Sequence, residues 1–272
     1  VLNVISADHE GVPATDRGLA YGDGLFETIR MSGQRAVLRR YHLDRLATDA
    51  RRLGIVVDYA ELDRELTNAT SRLAPIDADR PWILKLILTR GSGGRGYRPP
   101  EPSETRLIVS AAEMPPIPDT DSVVARTASF PLIVNSRLAG IKTLNRLEQV
   151  MASREFTGDE WELIMRNAHG DLVEGTRTNL IARVKDEWIT PPVSAIAVAG
   201  VMRQYAMECL VASGETVIER SLTPDPGSLP GFRGLYLLNS VFGVVAVGSL
   251  DSVDLPVDGT LATICHPLKT LE

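Results

Sequence analysis

The sequence predicts a mixed α/β protein in two domains. Three observations carry this expectation. Two helical periodicities and two apolar strands fill the first part of the chain, a proline-rich stretch interrupts it near residue 115, and short strands separated by tight turns dominate the remainder. At 272 residues the chain is long enough for one large domain or two modest ones.

Taken in order, Asp16 to Gly24 read as glycine turns, with a strand from Phe26 onward on which Thr28 points away from the sequence neighbours of Phe26. Leu43, Leu46, Ala47, Ala50 and Leu53 recur at helical spacing and Gly54 stops the pattern. Leu62, Leu66, Ala69 and Leu73 mark a second helix that ends before Pro75. Residues 81–90 and 105–111 read as strands, the first of them apolar on both faces. The prolines at 115, 116 and 118 cannot continue a helix or a central strand, so residues 115–121 are expected to link a small N-terminal domain, 1–114, to a larger one, 122–272. In the latter, 122–130 is strand-like and 145–156 helical. Short strands are expected at 161–166, 171–173, 179–184 and 187–190, with turns at His169 to Asp171 and Lys185 to Asp186. Gly200 opens a helix that carries Val201, Met202, Tyr205, Cys209 and Leu210, and strands at 216–221, 235–238 and 244–247 complete the domain.

Bulk properties exclude several functions. A net charge of −6 argues against non-specific nucleic-acid binding, which needs a basic face. No apolar run approaches the roughly 20 residues of a membrane helix, and the first residues show no signal-peptide pattern. Cys209 and Cys265 are too few and too separated for a disulfide framework, and His9, His42, His169 and His266 form no metal-ligand spacing. A cytoplasmic, reducing setting without a metal site is expected.

The residues that carry chemistry are a lysine and a glutamate. Lys142, in the segment Leu138 to Arg146, supplies an amine of the kind that holds an aldehyde cofactor as a Schiff base. Glu174, followed by Gly175, Thr176, Arg177, Thr178 and Asn179, supplies a carboxylate of the kind that keeps a pyridine nitrogen protonated. Arg45, one turn after His42, reads either as a solvated arginine on a polar helix face or as a phosphate ligand. The start of the helix after Gly200 points its first amides at whatever lies there. Asn239 and Ser240 either close a strand with a polar turn or add phosphate donors. Thr89 to Tyr97 place four glycines around Arg90 and Arg95, a basic loop expected to be mobile and suited to an acidic ligand. It is no nucleotide fingerprint, since it lacks a Lys-Ser/Thr ending.

Together these segments resemble the fold-type IV pyridoxal phosphate enzymes, the class of branched-chain and D-amino-acid aminotransferases. Asp23 to Glu27, Arg45, Lys142, Glu174 and Gly200 to Arg203 match the pattern of that class in order over nearly the whole chain. Within it, Arg90 to Tyr97 and Leu138 to Val150 are similar to the aminodeoxychorismate lyases.

The resemblance implies a homodimer with pyridoxal 5′-phosphate. Lys142 would carry the cofactor aldehyde, Glu174 would pair with its ring nitrogen, and Asn179 would lie near the ring. Arg45, the amides of Val201 and Met202, and Asn239 with Ser240 would hold its phosphate. It implies release of pyruvate from 4-amino-4-deoxychorismate, leaving 4-aminobenzoate for folate synthesis, with Lys142 as base and Lys142 or Thr28 as proton donor to the leaving group. Arg95, Tyr97 and Arg137 are candidates to meet the two substrate carboxylates. Two departures bear on this. The Gly-Thr-Arg-Thr-Asn run after Glu174 is close to the aminotransferase form, so a D-amino-acid or branched-chain aminotransferase is the alternative. Met202 stands where aminotransferases often carry a hydroxyl, which leaves backbone donors there.

Overall fold

The computed structural model describes residues 2–7, 9–74, 80–118 and 120–265. Pro75, Asp119 and His266 lie outside these residues. The chain divides into two compact units, one running through Pro115 and also holding Lys142–Asn145, the other formed by Pro116–Ile141 and the residues after Asn145.

The first unit contains β1 (Asn3–Ser6), α1 (Arg17–Tyr21), β2 (Gly24–Ser32), β3 (Arg35–Ala36), α2 (Arg39–Leu53), α3 (Tyr59–Leu73), β4 (Trp82–Thr89) and β5 (Arg106–Glu113). The strands form one sheet in the order β1-β5-β4-β2-β3. The short helix α1 sits where the sequence suggests only turns. Its entry is fixed by Asp16, whose side chain accepts from the Gly18 amide. Helix α2 stops where expected: Gly54 takes the left-handed conformation, φ 66°, and its N–H caps Ala50 and Arg51. The side chain of Asp58 caps α3 by accepting from the Glu61 amide. Both helices bury an apolar stripe, Leu43, Leu46 and Ala50 from α2 and Leu62, Leu66 and Ala69 from α3.

The second unit contains β6 (Ser122–Thr127), α4 (Leu147–Ser153), β7 (Glu162–Arg166), β8 (Leu172–Gly175), β9 (Asn179–Val184), β10 (Glu187–Thr190), α5 (Val201–Ala212), β11 (Thr216–Glu219), β12 (Phe232–Asn239), β13 (Gly243–Leu250), β14 (Val253–Asp254) and α6 (Thr260–Cys265). Its sheet runs β11-β10-β9-β12-β13-β6-β7-β8, and β8 pairs back onto β9, so six strands return on themselves as a barrel. The closing pair is Glu174 and Asn179. Ile164, Leu172, Leu180, Ala182, Leu237 and Val247 belong to one core cluster, while Leu163, Met165, Val173 and Ala152 of α4 belong to another. Alternate residues of β7 thus face opposite cores, as pleating requires.

Two expectations change here. The proline-rich boundary puts Lys142 with Glu174 in the second domain, but the chain leaves the second unit for Lys142–Asn145 and joins the first. The reason is backbone pairing: Phe26 N–H donates to the Lys142 carbonyl at 3.1 Å and Leu144 N–H to the Gly24 carbonyl at 3.0 Å, on the edge of β2. Cys209 and Cys265, distant in sequence, interact side chain to side chain on α5 and α6. Burial first, and Cys209 second, push the Cys265 thiol up to about 12, which makes it inert.

Candidate active site

In the first unit Lys142 is held by its backbone and leaves its amine on a strand face. Besides the β2 pairing, its N–H donates to Oδ2 of Asp49 at 3.0 Å. Asp49 is buried on α2, and burial pushes its carboxyl up against the lowering effect of that bond. The Lys142 amine lies 4.1 Å from the centre of the Phe26 ring, close enough for a cation–π contact. Phe26 and Thr28 share one face of β2 by alternation, so Thr28 stands on the side where the amine lies. Lys85 joins them. It is the register partner of Thr28 on β4, and its amine lies 5.7 Å from the Phe26 ring. Sequence reasoning misses Lys85, although a single charge inside an otherwise apolar strand is a visible signal.

The opposite face of β2 carries Glu27, and it explains Arg45. Arg45 donates through Nε to Oε1 of Glu27 at 2.8 Å and through Nη2 to Oε2 at 2.5 Å, a two-point pair. His42 Nδ1 lies 2.6 Å from Oε2 of the same carboxylate. All three side chains are buried or nearly so, so Arg45 is no solvated surface arginine. Burial alone raises the Glu27 carboxyl, but Arg45 and His42 outweigh it and hold it at about 2, below its ordinary 4.5.

The sign of these shifts sets a stability prediction. The Glu27 contribution is fully present above about pH 4.5 and is lost as pH falls through about 2. His42, lowered from 6.5 by burial first, loses stability in the same direction below that pH. In urea unfolding between pH 6 and 2, Glu27→Gln is expected to flatten the acid limb by on the order of 3 kcal/mol. Parallel curves for parent and variant contradict this.

In the second unit Glu174 is aimed by a bulge. Met165 pairs with Glu174 and Arg166 with Leu172, so Val173 is the extra residue. Leu172 faces the barrel core, while Glu174 is turned to the side of Met165. There its carboxylate, 3% exposed as a residue, accepts from Ala197 N–H at 3.0 Å and Val198 N–H at 3.2 Å through Oε2, and from Gln149 Nε2 at 3.4 Å through Oε1. Gln149, on α4, is a second residue the sequence does not single out.

Asn179, across the strand pair from Glu174, donates to the Val198 carbonyl at 2.9 Å. Gly200 lies next to it, and a Cβ there would stand 2.0 Å from Oδ1 of Asn179, so no side chain fits. Helix α5 starts at Val201 with no side-chain cap. Its first amides, with Val201 and Met202 buried, have no partner inside the helix and form an anion-seeking end. Arg203 is spent on structure, donating to Thr190, Pro191 and Glu219.

The remaining predicted residues sort differently. Asn239 uses its side chain for the turn after β12: Oδ1 accepts from the Val241 and Phe242 amides, and Nδ2 donates to the Arg177 carbonyl at 3.3 Å. The polar-turn reading describes its geometry; Ser240 lies beside it, half-buried.

The glycine-rich loop is organised rather than loose. Arg17 donates to the carbonyls of Gly93, Gly96 and Tyr97, and Arg90 pairs with Asp23 and caps Leu53 and Gly54. Arg95 is exposed. Tyr97 is 86% exposed, with its ring 5.5 Å from that of Tyr21. Arg137 is exposed in a turn where its N–H donates to Asn135. A cavity of about 480 Å³ in the second unit is lined among the described residues by Ile117, Tyr236, Val244 and Asp258 and by none of the predicted site residues.

Comparison with known proteins fits this geometry. The amino-transferase class IV family model matches residues 24–250. The crystal structure of 4-amino-4-deoxychorismate lyase from Pseudomonas aeruginosa is 34% identical, with a TM-score of 0.87 over 94% of this chain and 93% of that one. The aminodeoxychorismate lyase of Vibrio harveyi is 28% identical over 95% of this chain and 94% of its own length. A putative branched-chain-amino-acid aminotransferase of Methanocaldococcus jannaschii is 29% identical over 78% of this chain and 74% of its own. The chain belongs to the class IV aminotransferase family, and it is an enzyme of the fold-type IV architecture.

Proposed function

We propose that this enzyme uses pyridoxal 5′-phosphate to convert 4-amino-4-deoxychorismate into 4-aminobenzoate and pyruvate. The observation that carries the reading is the pinned Lys142, its backbone tied to β2 and Asp49 and its amine over Phe26 on the Thr28 side of the strand. The likeness to lyases along almost the whole chain supports it.

The residues present fit the cofactor. Lys142 offers the amine for its aldehyde and Glu174 a buried carboxylate for its ring nitrogen. The uncapped start of α5, opened by a glycine that admits no Cβ, suits its phosphate. Arg45, aimed by Glu27, and the turn at Asn239 and Ser240 are assigned to the same phosphate, and Asn179 to the neighbourhood of the ring. When bound, the cofactor draws electrons from the amine-bearing carbon and acidifies its proton.

The chain then supplies the proton transfers. Lys142 Nζ removes that proton, the bond from the ring carbon to the enolpyruvyl oxygen breaks, and the ring becomes aromatic. The enolpyruvate released gains a proton at its methylene from Lys142 or Thr28 and leaves as pyruvate. Arg95, Tyr97 and Arg137 are assigned to the substrate carboxylates, and Lys85, on the Phe26 face, is added to them as a cation.

We place the enzyme in the cytoplasm as a homodimer. Its exposed Ile133, Leu138, Leu147 and Val150 offer apolar surface for a second copy. Among the described residues no helix is long and apolar enough to cross a membrane.

The test supplies 4-amino-4-deoxychorismate and pyridoxal phosphate without any keto acid. Appearance of 4-aminobenzoate and pyruvate is expected. No product, together with transfer of an amine to an added keto acid, replaces the lyase with an aminotransferase, the reading that the Gly175–Asn179 run and the archaeal relative favour.

A further inference from the structure

The barrel interior holds a carboxylate that the proposed chemistry does not use. Glu162 opens β7 and is 0% exposed. It shares its strand face with Ile164 and so points into the barrel core. Its partners all come from its own neighbour or from the loop between β8 and β9. Oε1 accepts from Leu163 N–H at 3.0 Å, Thr176 N–H at 3.1 Å and Thr176 Oγ1 at 2.6 Å. Oε2 accepts from Thr178 Oγ1 at 2.9 Å and Arg177 N–H at 3.4 Å. A Cβ on Gly175 would stand 2.7 Å from this carboxylate and 2.2 Å from the Thr178 hydroxyl, so the loop closes on Glu162 only with glycine there.

That loop joins Glu174 to Asn179, the pair that closes the barrel. Its Arg177 carbonyl receives Asn239 Nδ2. The Arg177 side chain lies over Trp161 at 4.7 Å and Phe242 at 5.4 Å. One buried carboxylate therefore braces a loop that touches three of the residues assigned to the cofactor.

We infer that Glu162 is a positioning residue for the cofactor cradle, acting through the Gly175–Thr178 loop on Glu174, Asn179 and Asn239. The inference rests on the cofactor reading above. It differs from simple structural support because it predicts a change at the cofactor when the loop loosens. Burial pushes the Glu162 carboxyl up while the Thr176, Arg177 and Thr178 donors work against burial, so charge at this position is held by the loop itself.

Glu162→Gln removes the charge with the least change of shape and sets an amide N–H against the Arg177 N–H or the Thr176 donors. In the apoprotein, hydrogen exchange at Thr176 and Arg177 is expected to speed up about tenfold or more. Titration of the apoprotein with pyridoxal phosphate, monitored by absorbance, is expected to show affinity about tenfold weaker. The pH midpoint of the bound cofactor's absorbance band is expected to move, because Glu174 sits differently against the ring. Thr178→Val deletes one donor and keeps the carboxylate. It gives a smaller change in the same direction and decides the matter if Glu162→Gln does not fold. Unchanged exchange overturns the role, and so does faster exchange with unchanged affinity and midpoint. A parent that takes up no pyridoxal phosphate overturns the cofactor reading itself and this role with it, an outcome the parent's own titration separates from the others.

Discussion

Lys142→Ala is expected to lower the rate of 4-aminobenzoate formation by about 10³-fold or more, because the side chain serves both as the covalent anchor and as the base. The same substitution is expected to leave folding nearly intact. The bonds that place residue 142 are made by its backbone, from Phe26 N–H to its carbonyl and from its own N–H to Asp49. Alanine keeps both. What is lost to stability is the amine over Phe26, worth about 0.5–1 kcal/mol at a site of this kind. Product assayed by fluorescence and thermal unfolding of the same preparation give the two numbers. A rate within tenfold of the parent removes Lys142 from the chemistry. A collapse in melting temperature means that the loss of rate reports folding instead.

Glu174→Gln is the second large effect, a fall of about 10²–10³-fold in kcat. The amide keeps the shape, and its oxygen still accepts from Ala197 and Val198. What it lacks is the negative charge opposite a protonated ring nitrogen, so the electron sink weakens while the pocket stays whole. KM is expected to change much less than kcat, since the substrate does not touch this residue in the proposed arrangement. Steady-state kinetics check this. A variant with parental kcat removes Glu174 from the role. A rise in KM alone moves it to substrate binding.

Several parts of the molecule are legible in the sequence because they rest on local rules. Gly54 reads as a helix stop, and its left-handed backbone is the reason it stops there. Gly200 reads as the opening of a helix, and α5 starts at the next residue. Lys142 and Glu174 stand out because of the runs around them. Where local rules end, the reading thins. Helix α1 reads as turns because its start depends on the Asp16 cap and its length is a single short stretch. The basic loop reads as mobile because the arginine that organises it, Arg17, lies far away in sequence.

The sequence alone determined the set of chemical groups: one lysine and one glutamate in recognisable runs, a glycine ahead of a helix, and an alternation that makes strands. Those come from residue types and short-range periodicity, which survive in a string of letters. Tertiary structure decided how the groups are aimed. Three non-local choices did so: the return of Lys142–Asn145 to the first unit, the bulge at Val173 that turns Glu174 away from the barrel core, and the burial of Glu27 and Glu162 against partners on other elements. Each depends on which strand edge, helix face or loop arrives from elsewhere to satisfy a buried polar group. That satisfaction is a property of the packed chain, because a carboxylate's partners are chosen by the cost of burying it without them.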